Sequence, residues 1–228
     1  MEFYADTGDL NAIRAIAEVY PIRGFTTNPT ILAAQGDGVP ALMSQYRDFV
    51  REKGLRIFFQ TTGHTADEMV AQAKALHSYF GEHFVVKIPA IREGYKATRA
   101  CVEAGISVLI TAVHTVMQAV MAAEAGAEFV APYVNRIDNM GADGVGTVAQ
   151  MVIAFEHGGY DCKILGASFR TVDQIQRLAV AGCPCVTLKP ELFDQLIAHP
   201  GTDAAMGDFD RIWERTYGGR SIADLLPE

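Results

Sequence analysis

Positive charge is scarce in this chain of 228 residues: 19 lysines and arginines stand against 27 acidic residues, for a formal net charge of −8. With acids spread along the sequence, nothing draws in a polyanion by bulk attraction, so nucleic acid is not an expected partner. A local group of cations holding one small phosphate is still compatible with that total. Long apolar runs are missing as well. None approaches membrane-spanning length, and the opening "MEFYAD" lacks a basic segment followed by an apolar stretch, so no membrane is expected and the expected location is the cytoplasm. Cysteines number four. Cys101, Cys162, Cys183 and Cys185 form no C-x-x-C, and buried thiols in a reducing compartment explain them without zinc or redox chemistry. The six histidines show no paired-ligand spacing, so no metal is expected. A dinucleotide fingerprint is present only in "GVGTVA" (144 to 149). It follows a loop, and no acid ends the next strand, so those glycines are expected to turn the loop and open a helix.

What is present is apolar and rhythmic. Half of the residues are hydrophobic, enough for one sizeable core, and a single domain over 1–228 is expected. Short β-rich runs recur at 2 to 8, 24 to 28, 56 to 61, 84 to 89, 106 to 112, 128 to 134, 162 to 168 and 184 to 188. Helix-period segments lie between them. "TADEMVAQAKALHSYF" (65 to 80) opens on a Thr cap and sets Met69, Ala73, Leu76 and Phe80 on one face. Segments 92 to 105, 115 to 126 and 171 to 182 each end in the glycine expected at a helix C′ position. Strict βα alternation implies a parallel sheet, and eight units in this length fit an α/β fold of the (β/α)8 TIM-barrel type. An additional C-terminal helix, about 202–217, carries Phe209, Ile212, Trp213 and Tyr217; it either packs across the barrel or reaches a neighbouring subunit. "AQGDGVP" (34 to 40) reads as a Gly and Pro connector.

In such a barrel chemistry gathers at the C-terminal ends of the strands. Those ends carry Asp6, Thr26 and Asn28, Gln60, Lys87, Thr111, Tyr133 and Arg136, and Ser168 and Arg170. The fourth strand, "FVVKIPA" (84 to 90), poses the sharpest question, since it sets an ammonium group in an otherwise apolar run. If Phe84, Val86 and Ile88 face the helices, alternation directs Val85 and Lys87 into the barrel. Burial without a partner disfavours the charged amine, which makes it a nucleophile. The alternative is a lysine paired with Asp6 or snorkelling from the strand end.

A neutral lysine can form a Schiff base with a ketone, and the protonated imine then lets a neighbouring C–C bond break. Asp6 and Tyr133 are the candidates for proton transfer. Gln60 and Thr111 are weaker acids and bases, suited to holding a water. Arg136, Ser168 and Arg170 suit a phosphate.

Together "YADTGD" (4 to 9), "GFTTNPTIL" (24 to 32), "VVKIP" (85 to 89), "TAV" (111 to 113), "APYVNRID" (131 to 138) and "ASFR" (167 to 170) resemble the short transaldolase family, from Met1 to about Gly219. The resemblance implies a (β/α)8 class I aldolase without cofactor or metal, acting on sugar phosphates. It implies Lys87 as the Schiff-base lysine, Asp6 and Asn28 as its neighbours, and Arg136, Ser168 and Arg170 as phosphate contacts. Gln60 and Tyr133 stand where transaldolases proper carry Glu and Phe, and with Ala131 they match the aldolase branch. That branch would cleave fructose 6-phosphate into dihydroxyacetone and glyceraldehyde 3-phosphate, with Tyr133 as the main acid/base, Gln60 and Thr111 holding water, and Asp6 positioning the lysine. The rival is transfer of the dihydroxyacetone unit, and a non-catalytic sugar-phosphate binder stands behind it. His114 departs from the aromatic residue expected after "TAV" and either lines the pocket or caps the fifth helix. By resemblance the assembly is a homo-oligomer, a pentamer or decamer, with the C-terminal helix crossing to a neighbour.

Overall fold

A computed structural model describes residues 1–227. Eight parallel strands follow one another around a closed barrel: β1 (Glu2–Asp6), β2 (Ile22–Thr26), β3 (Arg56–Gln60), β4 (Phe84–Pro89), β5 (Val108–Val113), β6 (Phe129–Pro132), β7 (Lys163–Gly166) and β8 (Cys185–Leu188), which pairs back onto β1. Every strand lies within two residues of its sequence-based bounds. The helices are α1 (Leu10–Val19), α2 (Pro29–Ala33), α3 (Val39–Lys53), α4 (Ala66–Phe80), α5 (Arg92–Glu103), α6 (Val116–Glu124), α7 (Val134–Asn139), α8 (Gly144–Gly158), α9 (Val172–Val180), α10 (Pro190–Ile197) and α11 (Pro200–Tyr217).

Local chemistry fixes where these helices begin. Thr65, Thr115 and Thr171 each accept a backbone N–H three residues on, and Glu68, Gln118 and Gln174 reach back to complete a capping box. Asp143 caps α8, so "GVGTVA" does open a helix. On α4 the predicted face is buried at Met69, Ala73 and Phe80 and half-buried at Leu76. Gly94 lets α5 approach the end of β4, because a Cβ there would lie 2.0 Å from the carbonyl oxygen of Pro89. Segment 34–40 is more ordered than a connector: Gly36–Gly38 is a 3-10 turn that leads into Val39 and Pro40 at the start of α3.

Inside the barrel, Tyr4, Phe58, Val85, Leu109, Phe129, Leu165 and Cys185 form an apolar layer. Tyr4, Phe58 and Phe129 meet edge to face, with centroids 5.4 to 6.4 Å apart. At the N-terminal end of the strands Arg56 pairs with Glu128 and Lys163 with Glu2, closing that end with ions. Because side chains alternate, the residue two places beyond each layer member points inward one step nearer the C-terminal end. Those residues are Asp6, Gln60, Lys87, Thr111, Ala131, Ala167 and Thr187.

The contacts divide the chain into a barrel unit, Met1–Phe193, and a second unit from Asp194 onward, where composition and length suggest one domain. The helix expected at about 202–217 is α11, none of whose residues is buried. Within that unit Trp213 packs on Tyr217 at a tilt, with ring centroids 4.6 Å apart, and its indole N–H donates to the carbonyl of Arg220 at 2.7 Å.

Candidate active site

One cavity of about 1040 Å3 opens at the C-terminal ends of the strands. Asp6, Thr26, Asn28, Gln60, Lys87, Ala131, Tyr133, Arg136, Ser168 and Arg170 all line it. Thr111, the remaining predicted residue, is fully buried in the same inward-facing layer, with its hydroxyl 2.9 Å from that of Tyr133.

Lys87 is 5% exposed. Its ammonium donates to the main-chain carbonyl of Thr27 at 2.7 Å. Among the described residues no carboxylate lies within ion-pair distance of it, so it is neither salt-bridged to Asp6 nor snorkelling out. Burial lowers its pKa to about 8, against a smaller opposing pull from the Asp6 charge. At pH 7 that leaves about 9% of the amine neutral, compared with roughly 0.03% for a solvated lysine. Gln60 pairs in register with Lys87 on the neighbouring strand, so the two side chains share the inner face.

Asp6 is held by a chain of hydroxyls. Thr26 donates to Asp6 at 2.7 Å and lies 2.7 Å from the Thr187 hydroxyl. Since Thr26 has a single proton and spends it on Asp6, Thr187 must be the donor in the second bond. Thr187 is absent from the residues that the sequence singles out, although it stands two residues beyond the inward-facing Cys185. Asn28 caps α2 through its side-chain oxygen, which accepts from the N–H of Ile31 at 2.9 Å.

Tyr133 is fixed from several sides. Besides the Thr111 hydroxyl, it has the Arg136 guanidinium over its ring at 4.7 Å and the His114 imidazole edge-on at 6.0 Å. His114 therefore does not cap the following helix; Thr115 does, and the imidazole packs on Tyr133 while its Nδ1 lies 2.9 Å from the Ala112 carbonyl. Tyr133 and Arg136 also lie beyond their strand, in the N-cap and first turn of the short helix α7. Ala112 and Ser168 are the two non-glycine residues with positive φ among those described, at 58° and 62°. Both line the cavity, and such strained backbone tends to gather at functional sites. Lys189, at the exit of β8, is a further cation on the wall that the sequence pattern does not single out.

Residues 3–219 match the family described as Transaldolase/Fructose-6-phosphate aldolase. The chain belongs to that transaldolase/fructose-6-phosphate aldolase family. Its activity is thereby of the aldolase or transaldolase type. A solved structure described as "Native KDPGal structure" is 15% identical, with a TM-score of 0.60, covering 93% of this chain and 94% of that one. At that identity the likeness is one of fold. No helix of this family member is long and apolar enough, among the described residues, to cross a membrane.

Proposed function

We propose that this protein is a class I aldolase that cleaves fructose 6-phosphate reversibly into dihydroxyacetone and glyceraldehyde 3-phosphate. The observation that carries the reading is the desolvated amine of Lys87, with its lowered pKa, facing a cavity that Tyr133 and Asp6 also line. In this reading the amine adds to the C2 ketone and the carbinolamine loses water to give an iminium. A base takes the proton of the C4 hydroxyl, the C3–C4 bond breaks, and glyceraldehyde 3-phosphate departs. Protonation of the remaining enamine and hydrolysis release dihydroxyacetone.

Tyr133 is the proposed acid/base, with Thr111 behind it and Gln60 beside the lysine to hold water. Asp6 keeps the amine in place. Arg136, Ser168 and Arg170 are the proposed phosphate contacts. Asn28 and Ala131 shape the donor end of the cavity, while Thr26 acts through Asp6. The reading includes a homo-oligomer, a pentamer or decamer by resemblance; light scattering that returns a monomer would remove that part.

Fructose 6-phosphate supplied alone is the test. Free dihydroxyacetone without an acceptor supports the aldolase. Turnover only when erythrose 4-phosphate is added supports the second reading, a transaldolase, and binding without any turnover would point to a sugar-phosphate binder. Borohydride reduction during turnover should leave the donor covalently on Lys87; label at another residue would overturn the mechanism.

A further inference from the structure

We infer that the hydrogen bond between Asp138 and Gln174 is a positioning device that sets the spacing of Arg136 and Arg170 for a substrate's phosphate. This rests on the anion-site reading above. Both arginines line the cavity and both are exposed. A long, solvated guanidinium side chain has many rotamers, so beyond the Tyr133 ring that Arg136 lies over, what prearranges these two groups is the backbone from which they spring.

That backbone is laced at both ends. Near the strands, the N–H of Val134 donates to the carbonyl of Ala167 and that of Asn135 to Ser168, each at 2.9 Å. Farther out, the Gln174 amide donates to Asp138 Oδ2 at 2.7 Å. Arg136 and Arg170 lie between these two points of attachment. Gln174 is only 9% exposed, and its carbonyl oxygen is already committed to the N–H groups of Arg170 at 2.9 Å and Thr171 at 3.3 Å. The other oxygen of Asp138 accepts from the N–H of Gly144 at 2.7 Å.

The fold contains its own comparison. Helices α4 and α6 carry the same capping box with Glu68 and Gln118, whose side chains bind the local cap groups and the N–H of the residue before, His64 or His114. At α9 the box glutamine also binds a carboxylate in α7, that of Asp138, and that second bond needs the amide N–H of glutamine. Glutamate would cap equally well but could not donate.

The test follows from that difference. Three variants, Gln174→Glu, Gln174→Met and the double Asp138→Asn with Gln174→Glu, are compared with the wild type. The double variant keeps the net charge and reverses the bond: the new amide at position 138 donates to the new carboxylate at position 174, while the amide oxygen still accepts from Gly144. The readouts are inhibition by inorganic phosphate and KM and kcat for glyceraldehyde 3-phosphate against glyceraldehyde, with dihydroxyacetone as donor. Both single variants should raise the phosphate inhibition constant and KM for the phosphorylated aldehyde on the order of tenfold, the scale of one charge-assisted hydrogen bond, with no comparable change for glyceraldehyde. The double variant should recover most of that loss. A role in capping alone predicts a normal Gln174→Glu, and a purely electrostatic effect predicts a normal Gln174→Met; either result, or equal losses on both aldehydes, overturns the inference. If Gln174→Met fails to fold, the Gln174→Glu and double-variant pair still decides it, since an unrecovered double variant is equally fatal. A wild type insensitive to phosphate would instead remove the anion site itself.

Discussion

Replacing Lys87 with methionine should abolish turnover and at the same time make the barrel more stable. The folded state holds this amine at a pKa of about 8 against an ordinary value of 10.5. At pH 7, where it is largely protonated in both states, keeping the ammonium buried costs about 3 kcal/mol. Methionine has a similar length and no charge. It leaves the Thr27 carbonyl without its 2.7 Å donor, a loss of about 1 kcal/mol. The net expectation is a gain of about 2 kcal/mol at pH 7, or roughly 4–8 °C in Tm for a chain of this size. The sign of the pH dependence is fixed as well. Between pH 8 and 10.5 the unfolded chain binds a proton that the folded one has released, so the wild type gains stability as pH rises. The advantage of the variant should therefore shrink by about 2 kcal/mol between about pH 7 and 9.5. Urea unfolding followed by far-UV circular dichroism at both pH values measures this directly; Trp213, the one tryptophan, lies outside the barrel unit and would be a poor probe of it. A variant less stable than the wild type at pH 7, or an advantage indifferent to pH, would refute the idea that the amine is held there against its own solvation.

Tyr133→Phe should lower kcat for cleavage by about 10²–10⁴, the range of a lost acid/base group; near-normal rates would move that work to Asp6. Arg136→Ala should raise KM for phosphorylated aldehydes far more than for unphosphorylated ones, and equal effects would discard the phosphate assignment. Thr26→Val removes the donor to Asp6 and the acceptor for Thr187, so the urea midpoint should fall by the equivalent of about 1–3 kcal/mol; an unchanged midpoint would mean that the hydroxyl chain does not support Asp6.

The barrel is readable because each strand is a short apolar run and many of the helices carry a Thr cap or a terminal glycine, signals that are local and that repeat. The same alternation that turns Lys87 inward also flags Thr187, but the apolar neighbours of that threonine make its strand look wholly buried. Arg136 is harder to place. It lies in a six-residue helix, too short for a 3.6-residue period to register, so it reads as part of a strand end. Gln174 completes the capping box of Thr171; its second bond crosses 36 positions in sequence to Asp138, and no local pattern reports such a contact. His114 shows the limit from the other side, because the preference for capping is real but belongs to its neighbour Thr115.

The hydrogen bond that the Lys87 amine makes goes to a peptide carbonyl rather than to a side chain. A side-chain substitution cannot delete a peptide oxygen, so this bond persists when residues along the rim other than Asp6 are changed. Redesign aimed at new aldehydes can therefore recast Ser168 or Lys189 with the reacting nitrogen left where it is.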